Sequence, residues 1–267
     1  MKAVITLLTD FGTADYFVGA VKGAILSVNP QAVIVDLTHE IPPQDVAAGA
    51  FTLLAAYKTF PAETIHVGVV DPGVGSTRRA IIVRANKQFF VGPDNGLFTY
   101  IYDREPAHKV FHVTARKYFR PDPSSTFHGR DIFAPVAAAL SNGVKPREFG
   151  PRINEAVRLR VSLEPEVLKN GDVRARIIHI DRFGNCVTNI TRDLVKPNAT
   201  LLINRKTIHE FRNFYGEDSS DSPFAIWGSA GFLEISVNGG SAAKTLNVST
   251  GATILLKPQK STKGTKS

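Results

Sequence analysis

The sequence has 267 residues, 43% hydrophobic and 21% charged, which is enough to bury the core of one or two globular domains. Its net charge of +8 is scattered, without the basic stripe interleaved with aromatics that typifies nucleic-acid binding, so we expect no nucleic-acid partner. No apolar run approaches the ~20 residues of a membrane span, and a single cysteine, Cys186, excludes a disulfide framework and a cysteine-rich zinc site.

The N-terminal segment predicts no export signal, and the C-terminal segment differs in composition from the rest of the chain. The N-terminal segment lacks the charged, apolar and small-residue regions of a signal peptide, so we expect a cytoplasmic protein without a membrane partner. Residues 259–267 are rich in lysine and have no apolar periodicity, which predicts a disordered basic tail.

Residues 1–158 alternate apolar strand patterns with helical patterns, which predicts a Rossmann-like α/β domain with a mainly parallel sheet. The predicted strands are Val4–Leu8, Ala32–Leu37, Ile65–Val70, Ala80–Val83 and Gln88–Val91. The predicted helices cover Phe17 to Val28, Val46 to Tyr57 and Ile132 to Leu140. Asp45 is interpreted as the N-cap of the second helix, and Pro135 fits only the first turn of the third.

Residues 165–258 show short alternating strands separated by turn residues and little helical periodicity. This pattern predicts a smaller all-β domain, a barrel or sandwich, joined through a linker near residues 152–168. Its predicted strands lie around Val173 to Ile177, Leu201–Ile203, Phe224–Trp227, Phe232–Val237 and Thr253–Leu256.

Polar residues follow the strands of the first domain. Asp10 follows the first strand, Asp36 and His39 close the second, and Asp71 follows the third within Asp-Pro-Gly-Val-Gly. Ligands bind at the carboxyl ends of strands in open α/β sheets, so a functional role is favoured for Asp10 and Asp71. Asp15 is open to a second interpretation as a helix cap.

Two further motifs concentrate charged and polar groups. Residues 126–131 read Thr-Phe-His-Gly-Arg-Asp, and residues 181–185 read Asp-Arg-Phe-Gly-Asn. Structural ion pairs and turns are the alternative explanation. Five other histidines have no such companions and are interpreted as structural, namely His66, His108, His112, His179 and His209.

Other chemistries have weaker support. Asp10, Asp71, Asp94 and His128 are the residue types that hold Mg²⁺, Mn²⁺ or Zn²⁺, but no metal-ligand spacing appears, and we predict no metal. The phosphate-binding and dinucleotide glycine motifs are also missing, so no cofactor is predicted. Cys186 lies in a strand-like run and is interpreted as structural.

In combination, five motifs carry a family resemblance over nearly the whole chain. They are TDFG at 9–12 with Asp15, VVDPGVG at 69–75 with Arg78, GPDNG at 92–96, FHGRD at 127–131 and FGN at 183–185. With these motifs the chain resembles the S-adenosylmethionine hydroxide adenosyltransferases, which form adenosine and methionine and are related to fluorinating and chlorinating enzymes.

The resemblance implies an N-terminal α/β domain, a C-terminal β-barrel and a homotrimer whose active sites lie between subunits. It places water activation on Asp71, Arg78 and His128, and the ribose hydroxyls on Asp10. It assigns Asp15, Asp181, Asn185 and Ser229 to the methionine end, and Tyr215 and Asn238 to the adenine. Phe127, beside His128, is included among the substrate-binding residues.

The implied chemistry is consistent with these residue types. Displacement at the ribose C5′ of a sulfonium releases a neutral thioether, so the leaving group needs no general acid, and the site must only hold an in-line nucleophile. Halogenating relatives have Tyr at the Asp71 position and a long insertion between Ile82 and Phe90 that this chain lacks. A carboxylate would repel a halide, which favours water.

The sequence leaves three further alternatives open. A sensor could bind adenosine or S-adenosylmethionine without turnover, and a metal-dependent phosphatase or nuclease could use the same carboxylates. A methyltransferase is disfavoured, because Thr9 to Gly12 replaces the glycine-rich loop usual after the first strand.

Overall fold

The computed structural model describes residues 3–160, 162–196, 198–217 and 220–258. The chain divides into two compact units, one up to residue 160 and one from residue 161. The predicted basic tail, residues 259–267, lies outside the described residues. Within the described ranges, no helix is long and apolar enough to cross a membrane.

The first unit is an α/β domain built on one seven-stranded sheet. Its strands are β1 (Val4–Thr9), β2 (Val33–Thr38), β3 (Ile65–Val69), β4 (Ala80–Ala85), β5 (Gln88–Pro93), β6 (Lys109–His112) and β7 (Arg152–Ile153), in the order β2-β1-β3-β5-β4-β6-β7. The strands β2, β1, β3 and β5 are parallel neighbours, as the apolar runs predicted. An antiparallel extension of β4, β6 and β7 makes the sheet mixed.

The described part of this unit has four α-helices: α1 (Phe17–Val28), α2 (Val46–Ala56), α3 (Thr99–Arg104) and α4 (Ala134–Ser141). The predicted cap of α2 is confirmed, since the Asp45 carboxylate accepts a 2.9 Å hydrogen bond from the Ala48 amide. Pro135 lies in the first turn of α4, where its missing N–H costs no helical hydrogen bond. Asn86 and Lys87 both have positive φ and form the tight hairpin between β4 and β5.

The core of this unit explains why the parallel strands read as continuous apolar runs. β1, β3 and β5 are buried along almost their whole length, because helices cover the sheet. Helix α4 is apolar nearly all round and is itself buried. A single cluster joins side chains from the sheet to those of α1 and α4, including Ile5, Leu7, Val67, Val91, Val21, Ile25, Val136 and Leu140.

The second unit is almost all β. Its strands are β8 (Glu166–Val167), β9 (Val173–Ile180), β10 (Cys186–Thr188), β11 (Thr200–Ile203), β12 (Lys206–Ile208), β13 (Phe211–Arg212), β14 (Phe224–Trp227), β15 (Leu233–Ser236) and β16 (Thr253–Lys257). They form one curled, mostly antiparallel sheet in the order β12-β11-β16-β9-β10-β15-β14-β13, with β8 beside β9. The one helix of this described unit, α5 (Ala242–Leu246), begins at the side-chain cap Ser241.

A buried histidine in the first unit predicts a specific acid sensitivity. His66 accepts or donates a 2.8 Å hydrogen bond at Nδ1 with Thr6 Oγ1, stacks on Phe90, and its burial lowers its pKa to about 4. The unfolded chain, with a histidine pKa near 6.5, then binds more protons below neutrality. The free energy of unfolding should therefore fall by about 3 kcal/mol as the pH drops from 6.5 to 4.

Urea denaturation of the wild type and of His66→Leu between pH 7 and pH 4 measures how much of the loss in free energy of unfolding is due to His66. The wild type should lose stability over this range by about 3 kcal/mol more than the variant does. Equal losses in the two proteins would show that His66 does not carry the acid sensitivity.

Candidate active site

Asp71, Arg78 and His128 are in direct contact in the first unit. Arg78 Nε donates to Asp71 Oδ1 at 2.9 Å, and Arg78 Nη2 donates to the other carboxylate oxygen. The same Nη2 lies 2.8 Å from His128 Nδ1. The side chains of Asp71 and Arg78 are only 4% and 10% exposed, so the pair is largely removed from water. A bidentate, shielded pair of this kind is strong and geometrically fixed.

The loop between β3 and β4 brings Asp71 and Arg78 together. Asp71 follows the buried end of β3, and tight turns carry the chain back toward β4. Gly75 has φ of +77°, and a Cβ placed on it would lie 2.2 Å from the Ser125 carbonyl oxygen. This loop therefore packs closely on the segment that leads to His128, and only glycine fits at the contact.

His128 directly precedes a π-helical turn, Gly129–Phe133, that runs into α4. Such turns are rare and concentrate at functional sites because they re-aim the side chains around them. The Arg78 guanidinium lies 5.2 Å from the Phe133 ring centroid, a cation–π contact that places the turn against the Asp71–Arg78 pair.

Burial, together with the neighbouring Arg78 charge, lowers the pKa of His128 below its usual value, although Asp71 and Asp131 oppose the shift. His128 is thus neutral at pH 7. Because Nδ1 faces an arginine, which can only donate, we assign the imidazole proton to Nε2. The site then contains one carboxylate, one guanidinium and one neutral imidazole.

This protonation state predicts the acid limb of the pH–rate profile. Protonation of His128 would place a proton on Nδ1 against Arg78 and break the contact, so kcat/KM should fall at acid pH. Since the pKa of His128 is lowered, the fall should begin below pH 6.5 rather than at it. His128→Asn, which keeps an acceptor near the Nδ1 position, should lack this limb in a profile from pH 5 to pH 8. The same limb in the variant would assign it to another group.

Asp131 fixes the segment around His128 from its other side. Its buried carboxylate accepts from Arg130 Nε and Nη2, at 2.7 and 2.8 Å, and from the Ser124 amide at 3.0 Å. Burial would raise the pKa of Asp131, but the Arg130 and Ser124 hydrogen bonds outweigh it and lower the pKa. Asp131 is therefore a structural carboxylate in the FHGRD motif.

Asp10 and Asp15 lie in the loop between β1 and α1. Asp10 Oδ2 accepts a 2.8 Å hydrogen bond from the Gln44 amide, which ties it to the segment after β2. Asp15 is exposed. Helix α1 follows Tyr16 and has no side-chain cap, so the capping interpretation of Asp15 is wrong.

Phe127, also predicted to bind substrate, is buried in a group of aromatic rings. Its ring meets those of Phe11, Phe17 and Tyr16 edge-on at 5.4–6.5 Å, and the Arg130 guanidinium lies 5.0 Å from its centroid. Tyr16 is the exposed member, at 67%. These rings connect the loop that carries Asp10 to the residue before His128.

Asp94, considered above as a metal ligand, is occupied by structural contacts. Arg79 Nε donates to Asp94 Oδ2 at 2.8 Å, and the Val157 amide donates to Oδ1 at 2.8 Å. The described residues hold no group of three or more His, Cys, Asp or Glu side chains placed to bind a metal ion.

In the second unit, four of the five predicted residues line one cavity of about 650 Å³. The complete lining is Asp181, Phe183, Asn185, Tyr215, Val237, Asn238, Gly239, Gly240 and Ser241. The Asp181 carboxylate accepts from the Phe183 and Asn185 amides at 2.9 and 2.8 Å and from Asn185 Nδ2 at 2.9 Å. The turn at 181–185 thereby presents carboxylate and amide groups side by side.

Tyr215 lies at the rim of this cavity and is held by a buried glutamate. Its hydroxyl donates to Glu234 Oε2 at 3.2 Å. Burial and the adjacent Glu234 raise the pKa of Tyr215 to about 12, so it remains a phenol at neutral pH. Burial, together with Asp181, also raises the pKa of Glu234.

The structure differs from the sequence prediction at two positions of this unit. Ser229 is exposed in the turn between β14 and β15 and does not line the cavity. Phe183 does line the cavity and is 77% exposed, yet it was not assigned a role. Its position inside the FGN motif was the available signal, but exposure of an aromatic ring cannot be read from a turn sequence.

Cys186 is fully buried, and burial, reinforced by Asp181, raises the pKa of its thiol to about 12. The thiolate required of a nucleophile is then negligible at neutral pH. The structural interpretation of Cys186 is confirmed.

Several known proteins are similar to this chain over most of its length. A curated relative from Methanocaldococcus jannaschii, named (R)-S-adenosyl-L-methionine hydrolase, is 39% identical over 262 residues and covers 92% of each chain. A fluorinase from Nocardia brasiliensis is 27% identical, covering 96% of this chain and 97% of its own. The crystal structure of an uncharacterized conserved protein from Thermotoga maritima superposes with a TM-score of 0.88 at 36% identity, covering 95% of this chain and all of that one.

Family matches cover both units of the chain. Residues 5–150 match the SAM hydroxide adenosyltransferase N-terminal domain, and residues 175–255 match the corresponding C-terminal domain. Together they span most of the sequence and both clusters of site residues. The chain belongs to the SAM hydroxide adenosyltransferase family.

Proposed function

We propose that the protein hydrolyses S-adenosyl-L-methionine to adenosine and L-methionine by displacement at the ribose C5′. The observation that carries this proposal is the shielded contact of Asp71, Arg78 and His128 at the carboxyl edge of the sheet. The curated relative at 39% identity, named as a hydrolase of this sulfonium, supports the same reaction.

In the proposed step, the oxygen of a water molecule forms a bond to C5′ while the C5′–S bond breaks. The electron pair of that bond stays on sulfur, which leaves as the neutral thioether of methionine. One proton must leave the water. Because Arg78 faces the Nδ1 lone pair of His128, Asp71 is the group proposed to take that proton. Arg78 offsets the charge on the developing hydroxide, and His128 orients it from Nε2.

The remaining roles are proposed from the resemblance and from position. Asp10 accepts the ribose hydroxyls, and Phe127 forms an apolar wall beside His128. Asp15, Asp181, Asn185 and Ser229 are proposed for the methionine end of the substrate, and Tyr215 and Asn238 for the adenine. We further propose a homotrimer with inter-subunit active sites, and a cytoplasmic location.

A halide-using reaction is the nearest alternative. The fluorinase relative is more distant, at 27% identity. Asp71 is a carboxylate that can accept a proton from water, a step that a halide nucleophile does not require. Asp71 therefore supports water over halide.

Two alternatives from other classes make different predictions. A sensor would bind S-adenosylmethionine and return it unchanged. A metal-dependent phosphatase or nuclease would lose activity after exhaustive chelation, whereas the proposed hydrolase should retain it.

The proposal is tested by incubating the protein with the (R) and (S) sulfonium epimers separately, in halide-free buffer and with added chloride or fluoride. Chromatography should show adenosine and methionine in equal amounts, from the (R) form named for the relative, with no 5′-halogenated nucleoside. Intact substrate in every tube would favour the sensor, and a halogenated product would favour the alternative reaction.

A further inference from the structure

His39 is a buried histidine outside the Asp71, Arg78 and His128 group. It directly follows β2, and only 5% of it is exposed. Strands β1 and β2 pair in parallel, but the register shifts after Leu7, which faces Asp36 while Leu8 faces Thr38. Such a bulge redirects the side chains that follow it. His39 accordingly lies against the end of β1.

The His39 side chain contacts Thr9, the residue before Asp10. Thr9 Oγ1 lies 2.9 Å from His39 Nδ1 and accepts from the Phe11 amide at 3.3 Å. The backbone contributes a second link, since the Gly12 amide donates to the His39 carbonyl at 2.8 Å. The loop 9–12 is thus attached to His39 on both sides of Asp10.

The Thr9 hydroxyl can serve both contacts at once. With its hydrogen directed to Nδ1, its lone pairs remain for the Phe11 amide. Nε2 lies 3.1 Å from Asp36 Oδ1, an electrostatic contact without the linear geometry of a strong hydrogen bond. Lys22 Nζ donates to the other Asp36 oxygen at 2.6 Å.

We propose that His39 is a positioning residue for Asp10. Asp36, which is paired with Lys22, lies against Nε2 of the ring, and Nδ1 of the ring contacts the Thr9 hydroxyl. Thr9 in turn begins the loop that presents the Asp10 carboxylate. The Gln44 amide engages Asp10 Oδ2, and the carboxylate keeps further lone pairs on both oxygens for a ribose diol. This inference rests on the proposed role of Asp10 in binding the ribose.

The test is discrimination between adenosine and 2′,3′-dideoxyadenosine, which lacks the two hydroxyls. Calorimetric titration of the full chain, freed of nucleoside, gives both dissociation constants. Thr9→Val removes the hydroxyl at nearly constant volume. It should weaken adenosine binding about tenfold and change dideoxyadenosine binding less than twofold. Thr9→Ser should restore the wild-type ratio of the two constants.

Two substitutions of His39 separate its two contacts. His39→Asn keeps an acceptor near the Nδ1 position and should retain the discrimination. His39→Gln keeps a polar group near the Nε2 position only, and should lose discrimination as Thr9→Val does. A merely structural role for His39 would lower thermal stability in both variants without separating them in this way.

The first unit supplies a matched control on the same strand. Thr6 and His66 form the same kind of buried pair, with Thr6 Oγ1 at 2.8 Å from His66 Nδ1 and Thr6 three residues before Thr9 on β1. Thr6→Val should lower the melting temperature comparably and leave the ratio of the two dissociation constants unchanged.

Asp10→Ala distinguishes failure of this inference from failure of the proposed function. If Asp10→Ala removes the discrimination but Thr9→Val and His39→Gln retain it, the positioning role is overturned while the ribose role of Asp10 stands. If Asp10→Ala itself retains the discrimination, both the ribose role and the inference that depends on it are overturned.

Discussion

Replacing Asp71 with Asn is expected to lower kcat for adenosine formation about 10³-fold, within the range typical of a lost catalytic base. The amide has the shape of the carboxylate but cannot take a proton, and it leaves the Arg78 charge uncompensated in a shielded site. Steady-state product formation, measured by chromatography, gives kcat and KM separately. The loss should appear in kcat, because the role proposed for Asp71 is to take a proton from the attacking water rather than to bind substrate.

Asp94→Asn is the matched control for this variant. Asp94 is also a buried carboxylate paired with an arginine, Arg79, which directly follows Arg78 in the chain, but its second oxygen binds the Val157 amide. This substitution should reduce stability by about 1–3 kcal/mol and leave kcat within a few-fold of the wild type. Equal losses of kcat in the two variants would show that any broken buried ion pair inactivates the protein, and would remove the special role of Asp71.

The second large effect is expected at Gly75. Gly75→Ala introduces a Cβ 2.2 Å from the Ser125 carbonyl oxygen, at a residue whose φ of +77° already disfavours a side chain. The loop that carries Asp71 and Arg78 must then move away from the segment that leads to His128. We expect a loss of about 2–3 kcal/mol in the free energy of unfolding and at least a tenfold loss of turnover.

Gly143→Ala separates backbone strain from the steric contact. Gly143 has φ of +90°, but a Cβ placed on it meets nothing within 4 Å. The free energy of unfolding of Gly143→Ala should therefore fall by only about 1 kcal/mol, from backbone strain, and its turnover should not change. The contact with Ser125 would be unimportant if the two alanine variants had the same denaturation midpoint and the same kcat.

The sequence could predict those elements whose signals are local. The parallel strands appear as apolar runs because helices cover the sheet, and the cap at Asp45 follows from side-chain chemistry adjacent to the helix. Strand β6 escaped prediction because only Val110 is fully buried and its ends are Lys109 and His112. Its place in the sheet depends on pairing with β4, which no local pattern encodes.

The candidate site was predictable only in part. Strand-end placement indicated Asp10 and Asp71, but no periodicity relates Asp71 to Arg78 or either of them to His128, which lies 50 residues beyond Arg78. Their association depends on the tight β3–β4 loop, on Gly75 and on the π-helical turn after His128. The family resemblance predicted that these three residues lie together, and the hydrogen bonds of Arg78 to Asp71 and His128 are the contacts that join them.

Other functional features depend on tertiary burial. The partners of a histidine are set by tertiary packing, so the sequence could not show that His128 faces an arginine while His39 faces a threonine and a carboxylate. Likewise, Asp94 looked equivalent to Asp71 as an acidic loop residue. Only its contacts with Arg79 and Val157 identify it as structural.

The most direct test of the central claim is turnover of S-adenosylmethionine in ¹⁸O-water. Displacement at C5′ predicts adenosine that carries ¹⁸O at its 5′ position, unlabelled methionine in equal amount, and loss of both products in Asp71→Asn. Label in homoserine, with methylthioadenosine as the nucleoside product, would show that water attacks the side-chain carbon of the amino acid bonded to sulfur instead of C5′. That result would contradict the account.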